Sequence, residues 1–159
     1  HGPYYRRGLG KEDWEVWGAI EALYDADRTR MIGVSNVSAE QLSLLCEWAR
    51  HRPMVVQNRC YAATGWDKEV REICRSQGMI YQGFSLLTAN RDVFIEPDVR
   101  AMAAKYGVGP AQIVFRFAMQ IGMLPLTGTT NPQHMKEDLA CDRFSLSADE
   151  LHRLETIGL

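Results

Sequence analysis

Residues 30–49 read RMIGVSNVSAEQLSLLCEWA, and the order of chemistry in that stretch decides the fold. Arg30–Asn36 is a short apolar run that stops at two turn-forming residues, which predicts a strand. Ser38 follows as a helix N-cap with Gln41 three residues on, the spacing of a capping box, and Val37 and Leu42 are placed to form its hydrophobic staple. Leu42, Leu45 and Ala49 then recur at helical spacing. A strand that hands over to a helix within a few residues is a βα unit.

The unit recurs in both directions from there. Before it, Trp14, Trp17, Ile20, Leu23 and Tyr24 mark a helix. After it, MVVQNRCY (Met54–Tyr61) predicts a second strand, Asp67–Gln77 a helix stopped by Gly78, and MIYQGFS (Met79–Ser85) a third strand. Val99, Met102, Ala103 and Tyr106 form a helical face, and Gly109-Pro110 restart a helix with proline at its favoured first position. MLPLT (Met123–Thr127) predicts a fourth strand, a helix begins near Asn131, and Ser147 with Glu150 forms a last capping box stapled by Leu146 and Leu151. Such alternation implies parallel strands joined by right-handed crossovers. The strands are largely apolar, as expected when both faces of a sheet are covered. An open doubly wound sheet and part of a (β/α)8 barrel both satisfy this order. No G-x-G-x-x-G follows a strand, which weakens the dinucleotide-binding form of the open sheet. Either way, ligands gather at the carboxyl ends of the strands.

Bulk properties narrow the partners. At 159 residues the chain is long enough for a single domain with a sizeable core, and a net charge of -2 gives no reason to expect nucleic acid or a membrane surface. No apolar stretch approaches the ~20 residues that span a bilayer. Cys46, Cys60, Cys74 and Cys141 form no CxxC pair and have no zinc-like spacing to the histidines, so four reduced thiols, no metal site and a cytoplasmic location are expected. The sequence starts at His1 rather than Met, which points to a processed chain or a fragment.

The strand ends carry the candidate site. They offer Ser35-Asn36, then Gln57-Asn58-Arg59, then Phe84-Ser85, then Thr127-Gly128-Thr129-Thr130 ahead of the helix at Asn131. Amides and hydroxyls grip a carboxamide, which needs both a donor and an acceptor. An aromatic ring stacks on a planar ring, and a helix N-terminus holds a phosphate. Each also has an ordinary reading: Ser35-Asn36 as a loop, Phe84 as core, the threonine turn as a cap. Gln57 inside an apolar strand needs either a structural hydrogen bond or a ligand, because an unpartnered buried amide costs roughly 1–3 kcal/mol.

RMIGVSNV, VVQNRCY, YQGFSLL and LPLTGTTNPQHMKEDL, in this order and spacing, resemble the aldo/keto reductases, as does His1-Gly2-Pro3 ahead of the first helix. The resemblance runs the length of the chain but covers only the C-terminal half of that family's (β/α)8 barrel, from the end of its fourth strand through the eighth and a terminal helix, as a single partial domain. It implies an oxidoreductase that reduces a small-molecule carbonyl with NADP(H), with NAD(H) as the other possibility. His1 stands at the family's catalytic histidine; its catalytic Asp, Tyr and Lys have no counterpart here. By position, Ser35, Asn36 and Gln57 would hold the carboxamide, Phe84 would stack, and Ser85 and Leu86 would line the pyrophosphate. Thr127, Gly128, Thr129 and His134 would meet the adenosine phosphate, with Glu137 and Asp138 near the adenosine. Leu126 and His134 replace the family's usual cations, which predicts weak discrimination between NADP and NAD. Half a barrel also exposes sheet edges and an apolar inner face, so the chain is expected to pair with a separate N-terminal half or with itself. The competing reading is a truncated, non-catalytic nucleotide-binding or interaction module.

Overall fold

The computed structural model describes residues 2–159. Its elements run α1 (Lys11–Asp25), β1 (Gly33–Ser35), α2 (Ala39–Trp48), β2 (Val55–Arg59), α3 (Lys68–Gln77), β3 (Ile80–Phe84), α4 (Pro97–Tyr106), α5 (Pro110–Gln120), β4 (Met123–Pro125), α6 (Pro132–Leu139) and α7 (Ala148–Thr156). The strands form a parallel four-stranded sheet in the order β1-β2-β3-β4, with Gly33 opposite Val55 and Ser35 opposite Gln57. Each strand and helix expected from the sequence is present, and the strands are shorter than expected. Arg30–Asn36 contracts to Gly33–Ser35 because Asn36 turns into the left-handed region at φ 53°, which breaks the extended ladder.

One expectation is corrected. The strands are not covered on both faces. In β2, Val56 and Asn58 are buried while Val55 and Gln57 are half-buried and Arg59 is exposed. In β3, Tyr81 and Gly83 are buried while Ile80 is exposed and Gln82 and Phe84 are half-buried. This period-two alternation is that of a sheet closed by helices on one side only.

The chain divides into two compact units. The first comprises the chain through Asn58 together with Lys68–Gln82. Its core is Trp17, Ile32 and Leu45, with Trp14, Ile20, Tyr24 and Val34 packed around them. The Trp17 indole N–H donates to the His51 carbonyl (3.2 Å), and the Glu21 carboxylate accepts the His51 N–H (2.7 Å), which ties α1 to the loop after α2. Ser38 and Gln41 close the predicted capping box, each side chain accepting the other's backbone N–H (3.2 and 3.0 Å). At Gly33 an added Cβ would lie 2.4 Å from the Val55 carbonyl oxygen, so β1 approaches β2 closely only as glycine.

The second unit comprises Arg59–Asp67 and Gly83–Leu159. Trp66 is its fully buried anchor: its ring lies 5.2 Å from Phe117, and its indole N–H donates to the Leu154 carbonyl (2.7 Å). Three successive left-handed residues, Gly65, Trp66 and Asp67, swing that indole inward. Buried Asn90 accepts the Ala62 N–H (2.7 Å) and donates to the Cys60 and Leu86 carbonyls (3.0 and 2.8 Å), pinning the two loops of the unit together. Among the described residues no helix is long and apolar enough to cross a membrane.

Candidate functional site

In the first unit, the carboxyl ends of β1 and β2 bring amides and a hydroxyl together. The Ser35 hydroxyl donates to the Gln57 carbonyl (2.7 Å), which also accepts the Asn36 N–H (3.0 Å). The Asn36 amide donates to the Ser35 hydroxyl (3.1 Å). Gln57 is half-buried, and its Nε2 donates to Gln82 Oε1 (2.9 Å). Of the two partners that the sequence left open for Gln57, a structural hydrogen bond or a ligand, the structural bond exists. Gln57 also lines a cleft of about 710 Å³ together with Ser35 and Gln82. Gln82 was not among the expected site residues. Its signal was the period of two in YQGF, which sets it on the face of Phe84.

Asn58 belongs elsewhere. It is buried, its Oδ1 accepts the Val37 N–H (3.1 Å) and its Nδ2 donates to the Val37 carbonyl (2.8 Å). It fixes the turn that follows β1.

In the second unit, Ser85 sits directly after β3 with φ 57°. Left-handed backbone is uncommon outside glycine, and at a non-Gly residue it costs of order 1–3 kcal/mol. Asn36 and Ser85, at the ends of alternate strands, both carry it. Ser85 Oγ accepts from Arg59 Nε (3.2 Å), and the Arg59 guanidinium lies 5.9 Å from the Phe84 ring centre. Arg59 is exposed and supplies a permanent cation beside two expected site residues. The Leu86 side chain is fully buried, so only its backbone is available to a ligand.

The turn after β4 uses its polar groups internally. Asn131 caps α6 by accepting the Gln133 N–H (2.9 Å), and Thr129 accepts the Asn131 N–H (3.1 Å). The Thr127 hydroxyl donates to the Asp138 carboxylate (3.1 Å), and Glu137 accepts from Gln133 (2.9 Å). His134 and Gly128 are exposed. Thr127–Thr130 contain no permanent cation, and the carboxylate bonded to Thr127 suits a ribose hydroxyl better than a phosphate dianion, although α6 also carries the exposed Lys136 beside Glu137. Cys141, at the end of α6, is inert: burial first, then Asp138 and Asp142, push its thiol up to about 11. His1 lies outside the described residues. Among them, no group of three or more His, Cys, Asp and Glu side chains is placed to hold a metal ion.

The parallel sheet and alternating helices define an α/β protein, a class whose ligands, where it has them, gather at the carboxyl ends of the strands. The chain is homologous to the aldo-keto reductases. It is 36% identical over 149 residues to an aldo-keto reductase of Arabidopsis thaliana, family 4 member C11, covering 89% of this chain and 47% of that protein. It is 29% identical over 144 residues to the uncharacterized oxidoreductase YtbE of Bacillus subtilis (91% and 51%), and 27% identical over 157 residues to a probable NAD(P)H-dependent D-xylose reductase of Arthroderma otae (91% and 48%). The chain thus spans about half the length of the curated relatives it matches. No family model matches it. The crystal structure of Gox0644 superposes with a TM-score of 0.84 at 24% identity, over 97% of this chain and 60% of that one, which is a likeness of fold.

Proposed function

We propose that this chain is the cofactor-binding, C-terminal half of a (β/α)8 barrel of aldo-keto reductase type, and that the complete barrel reduces a small-molecule carbonyl to an alcohol in the cytoplasm. The observation that carries the reading is the Ser35–Asn36–Gln57–Gln82 array. It pairs donors with acceptors at the carboxyl ends of the strands, as a primary carboxamide requires. When bound, the nicotinamide supplies the hydride. Ser35, Asn36 and Gln57 would orient its carboxamide, and Phe84 would offer a ring face. Ser85 and the Leu86 backbone would meet the pyrophosphate, with Arg59 as a further cation for it.

The adenosine end fits a phosphate less well. Thr127, Gly128, Thr129 and His134 would meet it, yet Thr127 already engages Asp138, and Glu137 lies on the same helix. NAD(H) should therefore bind about as well as NADP(H). His1 would orient the substrate oxygen, while the tyrosine, lysine and aspartate of the reaction come from polypeptide outside this sequence. Supplied in trans or as part of a longer chain, that half would pair with this one; without it the chain would self-associate.

The test is a fluorescence titration of the chain with NADPH and with NADH. Expected are saturable binding of both, dissociation constants within about threefold of each other, and at least tenfold weaker binding by Gln57→Leu. Absence of saturable binding, or a Gln57→Leu variant that binds as the parent does, sinks the reading. A strong preference for NADPH overturns the adenosine-end assignment alone.

A further inference from the structure

Gln82 lines the candidate site without a task in it. It follows Ile80 on the open face of β3, as Gln57 follows Val55 on the open face of β2. Apolar side chains serve at the neighbouring positions, so the face does not need two amides in order to fold. Gln57 Nε2 donates to Gln82 Oε1 (2.9 Å), and both side chains line the cleft of about 710 Å³. Among the described residues, Gln57 Oε1 and Gln82 Nε2 enter no other hydrogen bond, and no fully buried side-chain N or O lacks a partner. Both atoms are therefore open to the cleft. Turning the two amides over together keeps the bond between them and exchanges which atoms are left over. In either orientation the pair presents one acceptor and one donor, side by side.

We infer that Gln82 is a specificity-determining residue for the cofactor's carboxamide: Gln57 and Gln82 act as one amide pair that accepts an N–H of the carboxamide and donates to its oxygen. The bond between the two amides polarises both, which strengthens the acceptor and the donor they turn to the cleft. A carboxylate in that place has no N–H to give and sets its charge against the acceptor. A ketone leaves the acceptor unpaired. An analogue that lacks one half of the match is rejected because a polar group of the site then loses water without gaining a partner. Two parts of a nicotinamide dinucleotide carry a donor beside an acceptor, the carboxamide and the adenine edge. The Ser35 hydroxyl and the Asn36 amide at the same end of the sheet extend the array in the way a small planar amide uses, which selects the carboxamide.

The inference rests on the cofactor reading, and its own failure is distinguishable from the failure of that reading. The experiment titrates the chain with NADH and with the reduced 3-acetylpyridine analogue, which keeps the carbonyl oxygen and has no N–H, by quenching of tryptophan fluorescence. The parent should bind NADH at least roughly tenfold tighter than the analogue. Gln82→Leu should weaken NADH at least roughly tenfold and bring the two ligands within about threefold of each other, since a lone Gln57 can turn either way. Gln82→Glu, equal in size but only an acceptor when ionised, should weaken NADH as much with the circular dichroism unchanged. In NMR spectra the side-chain amides of both glutamines should shift with NADH and stay in place with ADP-ribose, which carries adenine and pyrophosphate but no carboxamide. Gln82 variants that bind NADH as the parent does, or that weaken both ligands in equal proportion, overturn the inference; the cofactor reading then survives if Gln57→Leu still lowers affinity. Amide shifts with ADP-ribose overturn it in favour of adenine at the pair. A parent without saturable NADH binding overturns the cofactor reading and this inference together.

Discussion

Asn58 and Arg59 are neighbours in β2 with opposite fates. The sequence grouped Gln57, Asn58 and Arg59 as polar residues at one strand end, and the pleat separates them. Asn58 turns to the helix-covered side and exchanges two hydrogen bonds with the Val37 backbone. Removing its amide strands a buried donor and acceptor, so Asn58→Ala should lower stability by about 2–4 kcal/mol, read by urea unfolding. Arg59 turns to the open side, where Ser85 and Phe84 hold it. If it meets a ligand anion, Arg59→Met should weaken nucleotide binding about tenfold and flatten its salt dependence while the melting temperature hardly moves. A loss of stability without a change in affinity would make Arg59 structural. The residue types were legible in the sequence. Their division of labour was not, because Val37 lies 21 positions from Asn58 and Ser85 lies 26 from Arg59, and only folding chooses those partners.

At the scale of elements, local signals were the most readable. The capping boxes at Ser38 and Ser147 and the proline at Pro110 fall where helices start. Strand ends were read too long, since apolar run length does not reveal where a neighbour's ladder stops. The box of α7 also shows what a local motif conceals. Besides the Ser147 N–H (2.7 Å), Glu150 accepts from the Tyr106 hydroxyl (2.7 Å) and from Lys105 (2.8 Å), both some 45 positions away. Burial alone would raise this carboxyl, but the bonds from Lys105, Ser147 and Tyr106 outweigh it and hold its pKa at about 2, against an ordinary 4.5. A carboxyl depressed by folding stabilises the protein above its unfolded pKa, and that contribution is lost as pH falls from about 4.5 towards about 2. Glu150's share should amount to about 2 kcal/mol between pH 6 and pH 3. Urea unfolding of the parent and of Glu150→Gln at both pH values measures it: the variant should be less stable at both, and its deficit should be about 2 kcal/mol smaller at pH 3 than at pH 6. A constant difference between the two proteins across that range would remove Glu150 as the titrating group.

For the whole molecule, the βα rhythm and the family likeness were readable end to end, whereas the one-sided burial of the strands was not. Composition reports that a strand is apolar, but whether both of its faces find cover depends on polypeptide beyond the strand. The same distinction governs catalysis. Carbonyl reduction needs a group that delivers a proton to the developing alkoxide, within hydrogen-bond reach of the oxygen. Tyr4, Tyr5, Tyr61 and Tyr81 are present, yet none occupies the position of the family's tyrosine. Tyr81 is buried on the helix-covered side of β3, and Tyr4 is largely exposed. Amides at strand ends orient a cofactor; they do not protonate an oxygen. The purified 159-residue chain should therefore bind nicotinamide nucleotide and still fail to turn over an aromatic aldehyde, with consumption of NADPH indistinguishable from the protein-free control at saturating cofactor. Binding without turnover fits both half of a reductase and a module that only binds. The two separate when the amino-terminal part of the plant relative is added: restored NADPH consumption, lost again with Gln57→Leu, marks a reductase half, and an assembled but inert complex marks a binding module. Turnover by the chain alone would mean that one of its own side chains serves as the proton donor, and the division of labour proposed here would be wrong.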